Sequence, residues 1–428
     1  MKKKYDVTKT QMGVLYTFDD DGNVVFTDKN FIWGHLKINQ KVDFDRLEDA
    51  INYCFKKHDT MRIKLCEEDG KLLQYFNDYV KQDIEIVDVN TEADVKKLEN
   101  DILNKPFEMF DSFLFHVVIY KYKNGFGGII LSLNHVIADG YTIGLLLYEL
   151  LGYYSKKVNK FISFSYLNFI NKEARYPSSR KCKHDKKYWN NMFNTGIPAS
   201  VCIPSNKKNY SLSKANKLIF DIDSNIIKKV KSFCKINNIS NSTFYMSIYA
   251  IYMYKKTNLT DFFLGTASKN RRSIKENLTA GMFASTAYFD VKIQDEKFVD
   301  FAKRIRFSLK SGYKHMDYIT HYTRELFDQY NDDRLLPTNV ILSYQNLYID
   351  KDKLNLNFEI DGDNNVGTYG SDITIIHIFE YNNNVKIIYD YLSEKYSVKE
   401  ITKLNDEIIS IIKQVCEDNS IYTRDIKI

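Results

Sequence analysis

The run Asn-His-Val-Ile-Ala-Asp-Gly, from Asn134 to Gly140, contains residue types that acid–base chemistry uses. His135 follows a short apolar segment and precedes an Asp139-Gly140 turn and a strongly apolar stretch. An unperturbed imidazole has a pKa of about 6.5, so its neutral form can accept a proton near neutral pH. A lone histidine is more often a satisfied core residue, and it is the HxxxDG spacing that favours a catalytic base.

The elements that must position His135 are a strand before it and a helix after it. Apolar patterning predicts a strand pair at 113–121 and 128–133, followed by a helix at 141–154. A histidine at the end of such a strand is held by rigid structure and can face a cavity. The other predicted strands are 30–38, 60–66, 71–76, 217–222, 262–266, 288–293, 338–344, 373–381 and 384–391, and the other predicted helices are 44–58, 93–103, 185–193, 224–236, 240–254 and 398–416.

The chain divides into two α+β halves of similar make-up. Residues 176–183 are polar and contain Pro177, which makes them the best linker candidate. We therefore expect an N-terminal lobe at 1–175, a linker at 176–183 and a C-terminal lobe at 184–428.

Composition argues against several classes of protein. The chain has 428 residues, of which 44% are hydrophobic, and its net charge of +6 is dispersed, unlike that of nucleic-acid binders. Six cysteines without a CxxC pair and eight histidines without ligand spacing predict no metal site and fit a reducing cytoplasm. No signal peptide and no run of about 20 apolar residues is visible. We expect a cytoplasmic monomer that neither binds nucleic acid nor spans a membrane.

Several further motifs occur in order along the chain. They are KHDTMRIKL with Arg62, NHVIADG with His135, YLNFINKEARY, GTASKNR with Arg271, GMFASTAYFDV, HMDY, VILSYQN and YGSDI. In this order they resemble RHxxLRTxF, HHxxxDG, the segment before the crossing, GTPVxxR, GxFVNTLPLRV, HQDxPFE, a strand ending in QN and xxFDLxL. These are motifs of the condensation domains of nonribosomal peptide synthetases, in the chloramphenicol acetyltransferase-like superfamily. The resemblance covers nearly the whole chain.

The resemblance implies an α+β fold of two chloramphenicol acetyltransferase-like lobes in a V, each a mixed β-sheet flanked by helices. A tunnel at their junction would hold His135 as general base. Asp139 and Arg271 would form a buried bidentate ion pair that shapes its loop, with Asn134 and Gly140 supporting the turn. The residues expected to line the substrate tunnel are Ser285, Ser343, Tyr344, Gln345 and Asn346.

Two positions depart from the family pattern. Asn134 replaces the first motif histidine, and Ser285 replaces the usual asparagine. Asn134 can still hydrogen-bond and hold the loop, whereas the shorter Ser285 side chain alters a substrate contact. His315 and Asp317, in the HMDY match, are expected to cap and anchor a helix.

The resemblance implies an acyltransferase that joins a phosphopantetheine-bound acyl or aminoacyl thioester to an amine acceptor. A thioester is already activated, so no bound cofactor, nucleotide or metal is expected. The partners would be an acyl or peptidyl carrier protein acting in trans and a small-molecule acceptor, since we expect a free-standing enzyme; the alternative is an excised domain of a larger synthetase. An O-acyltransferase that uses acyl-CoA or acyl-carrier thioesters is the alternative, and a non-catalytic module that docks carriers is the third.

Overall fold

The structure is a computed structural model that describes residues 2–18, 24–28, 30–157, 162–205, 215–334, 336–347, 354–365, 374–381 and 384–428. The YGSDI match at 369–373 lies outside these residues. The helices are α1 (Lys9–Leu15), α2 (Phe44–Lys57), α3 (Glu92–Leu103), α4 (Gly140–Tyr154), α5 (Leu167–Arg175), α6 (Arg180–Asn194), α7 (Ser224–Asn237), α8 (Asn241–Thr257), α9 (Ile274–Asn277), α10 (Phe298–Gln329) and α11 (Val398–Glu417). The strands are β1 (Lys4–Asp6), β2 (Tyr16–Phe18), β3 (Val24–Phe26), β4 (Phe31–Ile38), β5 (Ile63–Glu68), β6 (Lys71–Phe76), β7 (Ile86–Val89), β8 (Phe115–Tyr122), β9 (Gly127–Asn134), β10 (Ala215–Asp221), β11 (Asp261–Ser268), β12 (Ser285–Lys292), β13 (Val340–Leu347), β14 (Phe358–Asn365), β15 (Thr374–Tyr381) and β16 (Asn384–Leu392). Most of the predicted elements are confirmed, with ends shifted by a few residues.

The first lobe is built on a sheet with the strand order β14-β4-β9-β8-β7. Every residue of β9 is buried, because α2 and α4 cover one face of the sheet and α3 packs on the other. Gly128 in β9 is required by the close pairing with β4, since a Cβ there would lie 2.0 Å from the carbonyl oxygen of Leu36. The central strand therefore ends at a fixed place, and the His135 loop begins there.

The second lobe is built on a sheet with the strand order β10-β16-β15-β13-β11-β12. Because side chains alternate along a strand, each strand sends every second residue into the core beneath helices α7, α8 and α11. Leu342, Ile376 and Ile387 belong to that core. Their neighbours Ile341 and Ile375 face the opposite side and line a cavity. The two sheets, each with its own core, confirm the expected two-lobed α+β fold.

One strand from the second half of the chain completes the first sheet. β14 pairs antiparallel with β4, from Phe358 opposite Ile38 to Asn365 opposite Phe31. Leu354, just before the strand, belongs to the first hydrophobic core together with Phe358. The first lobe is therefore not made of N-terminal residues alone, which the sequence did not indicate.

The predicted linker at 176–183 is largely helical. Tyr176–Ser178 form a 3₁₀ turn, and α6 begins at Arg180, where a helix had been predicted only from residue 185. The earlier start has a local cause, because the Ser179 hydroxyl caps the helix by accepting a hydrogen bond from the amide of Cys182. The boundary between lobes at this segment stays a prediction.

The long helix α10 was not predicted. Its buried residues recur at helical spacing, and it packs on β12. Tyr322 has non-helical φ/ψ of −137° and 32°, which kinks the helix near its C-terminal end. None of the helices in the described residues, α10 included, is long and apolar enough to cross a membrane.

Candidate active site

The His135 loop leaves β9 and is held by hydrogen bonds at its base. The His135 amide donates to the carbonyl oxygen of Asn30 at 2.8 Å. The side-chain oxygen of Asn134 accepts a hydrogen bond from the Val136 amide at 3.0 Å, and its Nδ2 contacts the Met109 sulfur at 3.3 Å. Asn134 thus braces the turn that carries His135.

The His135 ring is buried but borders a large cavity. The residue is 7% exposed, lines the cavity, and its Nδ1 is a buried atom that makes no hydrogen bond of normal geometry. Loss of hydration lowers the pKa of His135, and this outweighs the opposite influence of the loop carbonyls and of Asp139. The imidazole is therefore neutral near neutral pH, as a general base must be.

Asp139 organises the polypeptide around His135. As N-cap of α4, its Oδ1 accepts hydrogen bonds from the Thr142 amide and hydroxyl, both at 2.9 Å. Its Oδ2 accepts from the amides of Phe283 and Ala284, each at 3.0 Å. Burial opposes the charge, but the Arg271 guanidinium and these hydrogen bonds hold the pKa of Asp139 below its usual value.

Arg271 completes a buried ion pair with Asp139, but the pair is not bidentate as expected. Arg271 Nη1 lies 2.6 Å from Asp139 Oδ2, whereas Nη2 donates to the Thr142 hydroxyl at 3.0 Å. The second carboxylate oxygen is already occupied by Thr142. The guanidinium carbon lies 4.5 Å from the Tyr141 ring centroid and 4.2 Å from that of Phe283. The pair therefore joins the first lobe to the segment that connects β11 and β12.

Gly140 is the first residue of α4 and lines the cavity. The backbone conformation that favours glycine occurs instead at Gly281, with a φ of 152°. A Cβ at Gly281 would also lie 2.4 Å from the Tyr166 ring. Gly281 holds the loop that donates to Asp139. In the sequence it is only the first residue of the GMFASTAYFDV match, and no role was expected for it.

The cavity between the lobes has a volume of about 1940 Å³. On the first lobe it is bordered by His135 and by Phe31 and Trp33 of β4. On the second lobe it is bordered by residues of β13, β15 and β16, among them Ser343 and His377. A space of this size, bordered by both sheets, is large enough for two substrates to meet beside His135.

The five tunnel candidates border this cavity, but they do not all direct their side chains into it. Ser285 is the first residue of β12, and its Oγ lies 2.7 Å from Thr320 Oγ1 in α10. Ser343 and Gln345 lie on the cavity face of β13, where Gln345 Nε2 donates to Ser343 Oγ at 3.1 Å.

Tyr344 and Asn346 occupy the alternate positions of the same strand, on its other face. The Tyr344 ring stacks on Tyr245 in the core of the second lobe, at 6.2 Å between centroids. Its hydroxyl donates to Glu380 at 2.5 Å. The Tyr344 side chain therefore packs on the face of β13 that lies against α8, and its expected contact with substrate stays a prediction.

His315 and Asp317 lie within α10, so they do not cap it. His315 Nδ1 is 2.8 Å from Asp185 of α6, and Asp317 accepts two hydrogen bonds from Arg272 at 2.6 and 2.9 Å. His184, Asp185 and His315 place three possible ligand atoms within 4.8 Å of one another. The Asp185 carboxylate is already engaged by Tyr176, Lys181 and His315, so this cluster serves to join two helices.

The segment at 57–62 lies outside the cavity lining and has a structural role. Arg62 Nη1 donates to the carbonyl oxygens of Phe55 at 2.7 Å and Lys56 at 3.0 Å, at the end of α2. His58 Nε2 lies 2.9 Å from buried Glu149, and its Nδ1 accepts from the Ala280 amide at 3.3 Å. These contacts hold the loop at 280–284 against the first lobe.

The N-terminal helix α1 also braces the site, and the sequence analysis missed it. Gln11 is fully buried, and its Nε2 donates to the carbonyl oxygen of Val136 at 3.0 Å. Thr10 donates to the carbonyl oxygen of Met282 at 3.1 Å. The signal was present, because Thr8 and Gln11 form a capping box whose spacing can be recognised in the sequence.

The Condensation domain profile matches residues 1–428. The chain is similar to surfactin synthase subunit 1 of Bacillus subtilis (strain 168), 25% identical over 296 residues that cover 67% of this chain and 8% of that protein. It is also similar to bacitracin synthase 1 of Bacillus licheniformis, 21% identical over 422 residues that cover 97% of this chain and 8% of that protein. The chain thus spans a small part of the length of these relatives.

Solved structures share the fold over nearly the full chain. The condensation domain from monacolin K polyketide synthase superposes with a TM-score of 0.83 at 14% identity, covering 98% of this chain and 99% of that one. The starter condensation domain of rhizomide synthetase, in complex with C8-CoA and Leu-SNAC, gives 0.80 at 15% identity, with coverage of 99% and 97%. The X-domain from teicoplanin biosynthesis gives 0.78 at 13% identity, with coverage of 100% and 98%. At these identities the likeness concerns the fold.

Proposed function

This chain belongs to the condensation-domain family, and on that premise we propose that it joins a phosphopantetheine-bound acyl or aminoacyl thioester to an amine acceptor. His135 acts as the general base. The observation that carries the proposal is a buried imidazole, with a pKa lowered by its burial, that borders a cavity shared by both lobes. The chain covers only 8% of each of the two relatives, so their products do not identify its donor and acceptor, which experiment must establish.

The burial of His135 supports its role as a base. A neutral imidazole at the cavity wall can accept a proton from the amine as nitrogen attacks the thioester carbonyl, which contributes about 10²–10⁴-fold to the rate. Holding both substrates in one cavity reduces the entropic cost of their encounter. Because the thioester is already activated, the reaction needs neither a nucleotide nor a covalent enzyme intermediate.

The N-terminus of α4 offers a place for the negative charge that develops on the carbonyl oxygen. The first amides of a helix lack partners within the helix. Gly140 and Tyr141 border the cavity, and Asp139 caps the amide of Thr142 and leaves those of the first two residues without this cap. Helix N-termini favour anions, so these amides are suited to stabilise the oxyanion.

The charge of the cavity wall supports an anionic carrier arm. Arg271 and Arg272 are paired with Asp139 and Asp317. A phosphopantetheine arm contains a phosphodiester, which a basic wall attracts. The lysines on the described part of the wall are Lys181, Lys217, Lys269, Lys310, Lys314 and Lys386.

A reconstituted assay tests the proposal. Acyl thioesters of carrier protein and of CoA are offered with amine and alcohol acceptors, and products are followed by mass spectrometry. We expect amide formation by the wild type, a loss of about 10²–10⁴-fold in His135→Ala, and no change in His184→Ala, an exposed histidine of α6. If the wild type is no faster than His135→Ala with every substrate pair, the proposal fails.

The same assay separates the two alternatives. Ester products with alcohol acceptors, and no amide, would assign an O-acyltransferase. Binding of an acyl carrier protein without any turnover would assign a docking module, which the replacement of the first motif histidine by Asn134 keeps open. Turnover with acyl-CoA but not with carrier protein would identify CoA as the natural donor.

A further inference from the structure

The cavity face of the second sheet combines apolar and polar side chains. It is formed by alternate residues of β10, β16, β15 and β13, and the apolar members are Ile219, Ile341, Ile375, Phe379 and Ile388. Among the polar residues of this face, His377 and Ser343 are direct neighbours in the β13–β15 ladder. The others that line the cavity are Lys217, Gln345, Asn384 and Lys386. Polar side chains set among apolar ones are the usual composition of a site that orients a small ligand.

A carboxylate fixes the His377 ring. His377 Nε2 lies 3.0 Å from Asp390 Oδ2 on the neighbouring strand β16, and the two residues are each 4% exposed. Lys217 of β10 lies directly opposite Asp390, with its Nζ 3.6 Å from Asp390 Oδ1. A histidine that donates Nε2–H to a carboxylate is held in one tautomer, which leaves Nδ1 as a hydrogen-bond acceptor.

The acceptor nitrogen of His377, Nδ1, has no hydrogen-bond partner among the described residues. It is also not one of the fully buried polar atoms that lack a partner, so it is accessible from the cavity. His377 lines the cavity, so a ligand in the cavity is what can reach this nitrogen. The neighbouring Ser343 hydroxyl is oriented by Gln345 Nε2 at 3.1 Å. An acceptor at the wall of a cavity, held in a fixed direction and without a protein partner, is placed to orient a ligand there.

We propose that His377, oriented by Asp390, is a specificity-determining residue that accepts a hydrogen bond from a hydroxyl group on one of the two carried substrates. The apolar part of that substrate packs against the isoleucines and Phe379 of the same wall. This inference rests on the proposed acyl transfer, and it names a substrate class: an acyl or aminoacyl group with a hydroxyl on an otherwise apolar chain.

Matched thioester pairs test the inference. Octanoyl-CoA is compared with 3-hydroxyoctanoyl-CoA as donor, and alanyl with seryl N-acetylcysteamine thioesters as acceptor. A site that hydrogen-bonds a hydroxyl discriminates against the analogue without it, so we expect a preference in kcat/KM on the order of tenfold or more for one hydroxylated member. His377→Leu should abolish this preference, whereas His377→Asn, which keeps an acceptor near the Nδ1 position, should retain part of it. Phe379→Leu, on the same strand and wall, should affect both members of a pair equally.

The outcomes separate this inference from the acyl-transfer proposal. Equal rates for both members of each pair in the wild type, or an unchanged preference in His377→Leu, would overturn the specificity role. A loss in His377→Leu as large as that in His135→Ala for every substrate would overturn it too, since His377 would then take part in proton transfer.

If the wild type turns over none of the thioesters, the acyl-transfer proposal fails and a binding measurement decides the inference. The ¹⁵N spectrum of labelled histidine, assigned with His377→Asn, should show the Nε2–H tautomer of His377. Addition of the hydroxylated thioester should shift the Nδ1 resonance, whereas the plain analogue should not. An Nδ1–H tautomer, or equal shifts with both analogues, contradicts the inference.

Discussion

Two buried histidines border the same cavity from opposite lobes, and their surroundings differ. His135 lies on a loop at the end of β9, and its Nδ1 has no hydrogen-bond partner among the described residues, whereas the Asp139 carboxylate is engaged by Arg271 and Thr142. His377 lies within a strand, and its ring is hydrogen-bonded to Asp390. One imidazole is therefore free to gain and lose a proton, whereas the other is fixed in orientation.

The difference assigns different tasks to the two histidines. A general base must be neutral and able to take up a proton, and burial without a ring partner lowers the pKa of His135 toward that condition. A recognition residue must present one nitrogen in a fixed direction, which a carboxylate partner on a rigid sheet provides. In this protein the loop supplies the chemistry and the opposing sheet supplies a surface against which a substrate can be held.

The largest contrast should appear when the carboxylate beside each histidine is removed. Asp139→Asn breaks a fully buried ion pair and should cost about 3–5 kcal/mol in the free energy of unfolding, because Arg271 is left without its counter-ion. Asp390→Asn removes a charge whose lysine partner is 3.6 Å away and should cost about 1 kcal/mol. Urea unfolding followed by intrinsic fluorescence measures both, and losses of equal size would contradict the division of roles.

Asn134→Ala should have the next largest effect, and only on the His135 side. It removes the acceptor of the Val136 amide in a buried loop, which should lower stability by about 1–3 kcal/mol and reduce kcat. Asn134→His is expected to preserve most of the activity, since an imidazole can supply the same acceptor. Asn346→Ala, at an exposed position of β13, is the matched control and should lie within about 0.5 kcal/mol of the wild type. Normal stability in Asn134→Ala would show that the loop does not depend on this side chain.

The His135 side of this comparison could be predicted from the sequence, because the information there is local. The HxxxDG run joins the end of one strand, a turn and a helix start within seven consecutive residues, and neighbouring segments fix their geometry. The Asp139–Arg271 pair required more, because its partners lie 132 residues apart. The family resemblance supplied the pair, but it did not reveal that Thr142 takes the second carboxylate oxygen.

The His377 side could not be predicted from local patterns. His377 and Asp390 lie on neighbouring strands of a hairpin, and their pairing depends on strand register, which a sequence does not specify by itself. β14 was missed for a related reason, since its partner strand lies in the other half of the chain. The long helix α10 is different, because Phe298, Ile305 and Leu309 follow helical spacing that was readable but overlooked.

A pH profile should distinguish the two histidines without any loss of fold. Protonated His135 cannot accept a proton, so kcat/KM, calculated on the concentration of unprotonated amine acceptor, should fall as the pH decreases through the pKa of His135. Because burial lowers that pKa, the midpoint should lie below about 6.5, the usual value for histidine. Asp390→Asn should leave the midpoint in place, and His135→Ala should remove the acidic limb. A midpoint above the usual histidine value would contradict a desolvated base.

The smallest effect is expected from Tyr344→Phe, and it tests which face of the second sheet contacts substrate. The Tyr344 hydroxyl donates to Glu380, on the side of the sheet that packs against α8, so its removal should leave kcat/KM within about twofold for every thioester. Ser343→Ala, one residue earlier on the cavity face, should instead change the ratio between hydroxylated and plain substrates, because its hydroxyl lies beside His377. If Tyr344→Phe alters that ratio and Ser343→Ala does not, the face of β13 that contacts substrate is the one that carries Tyr344, and the assignment made from Ser343 and His377 is wrong.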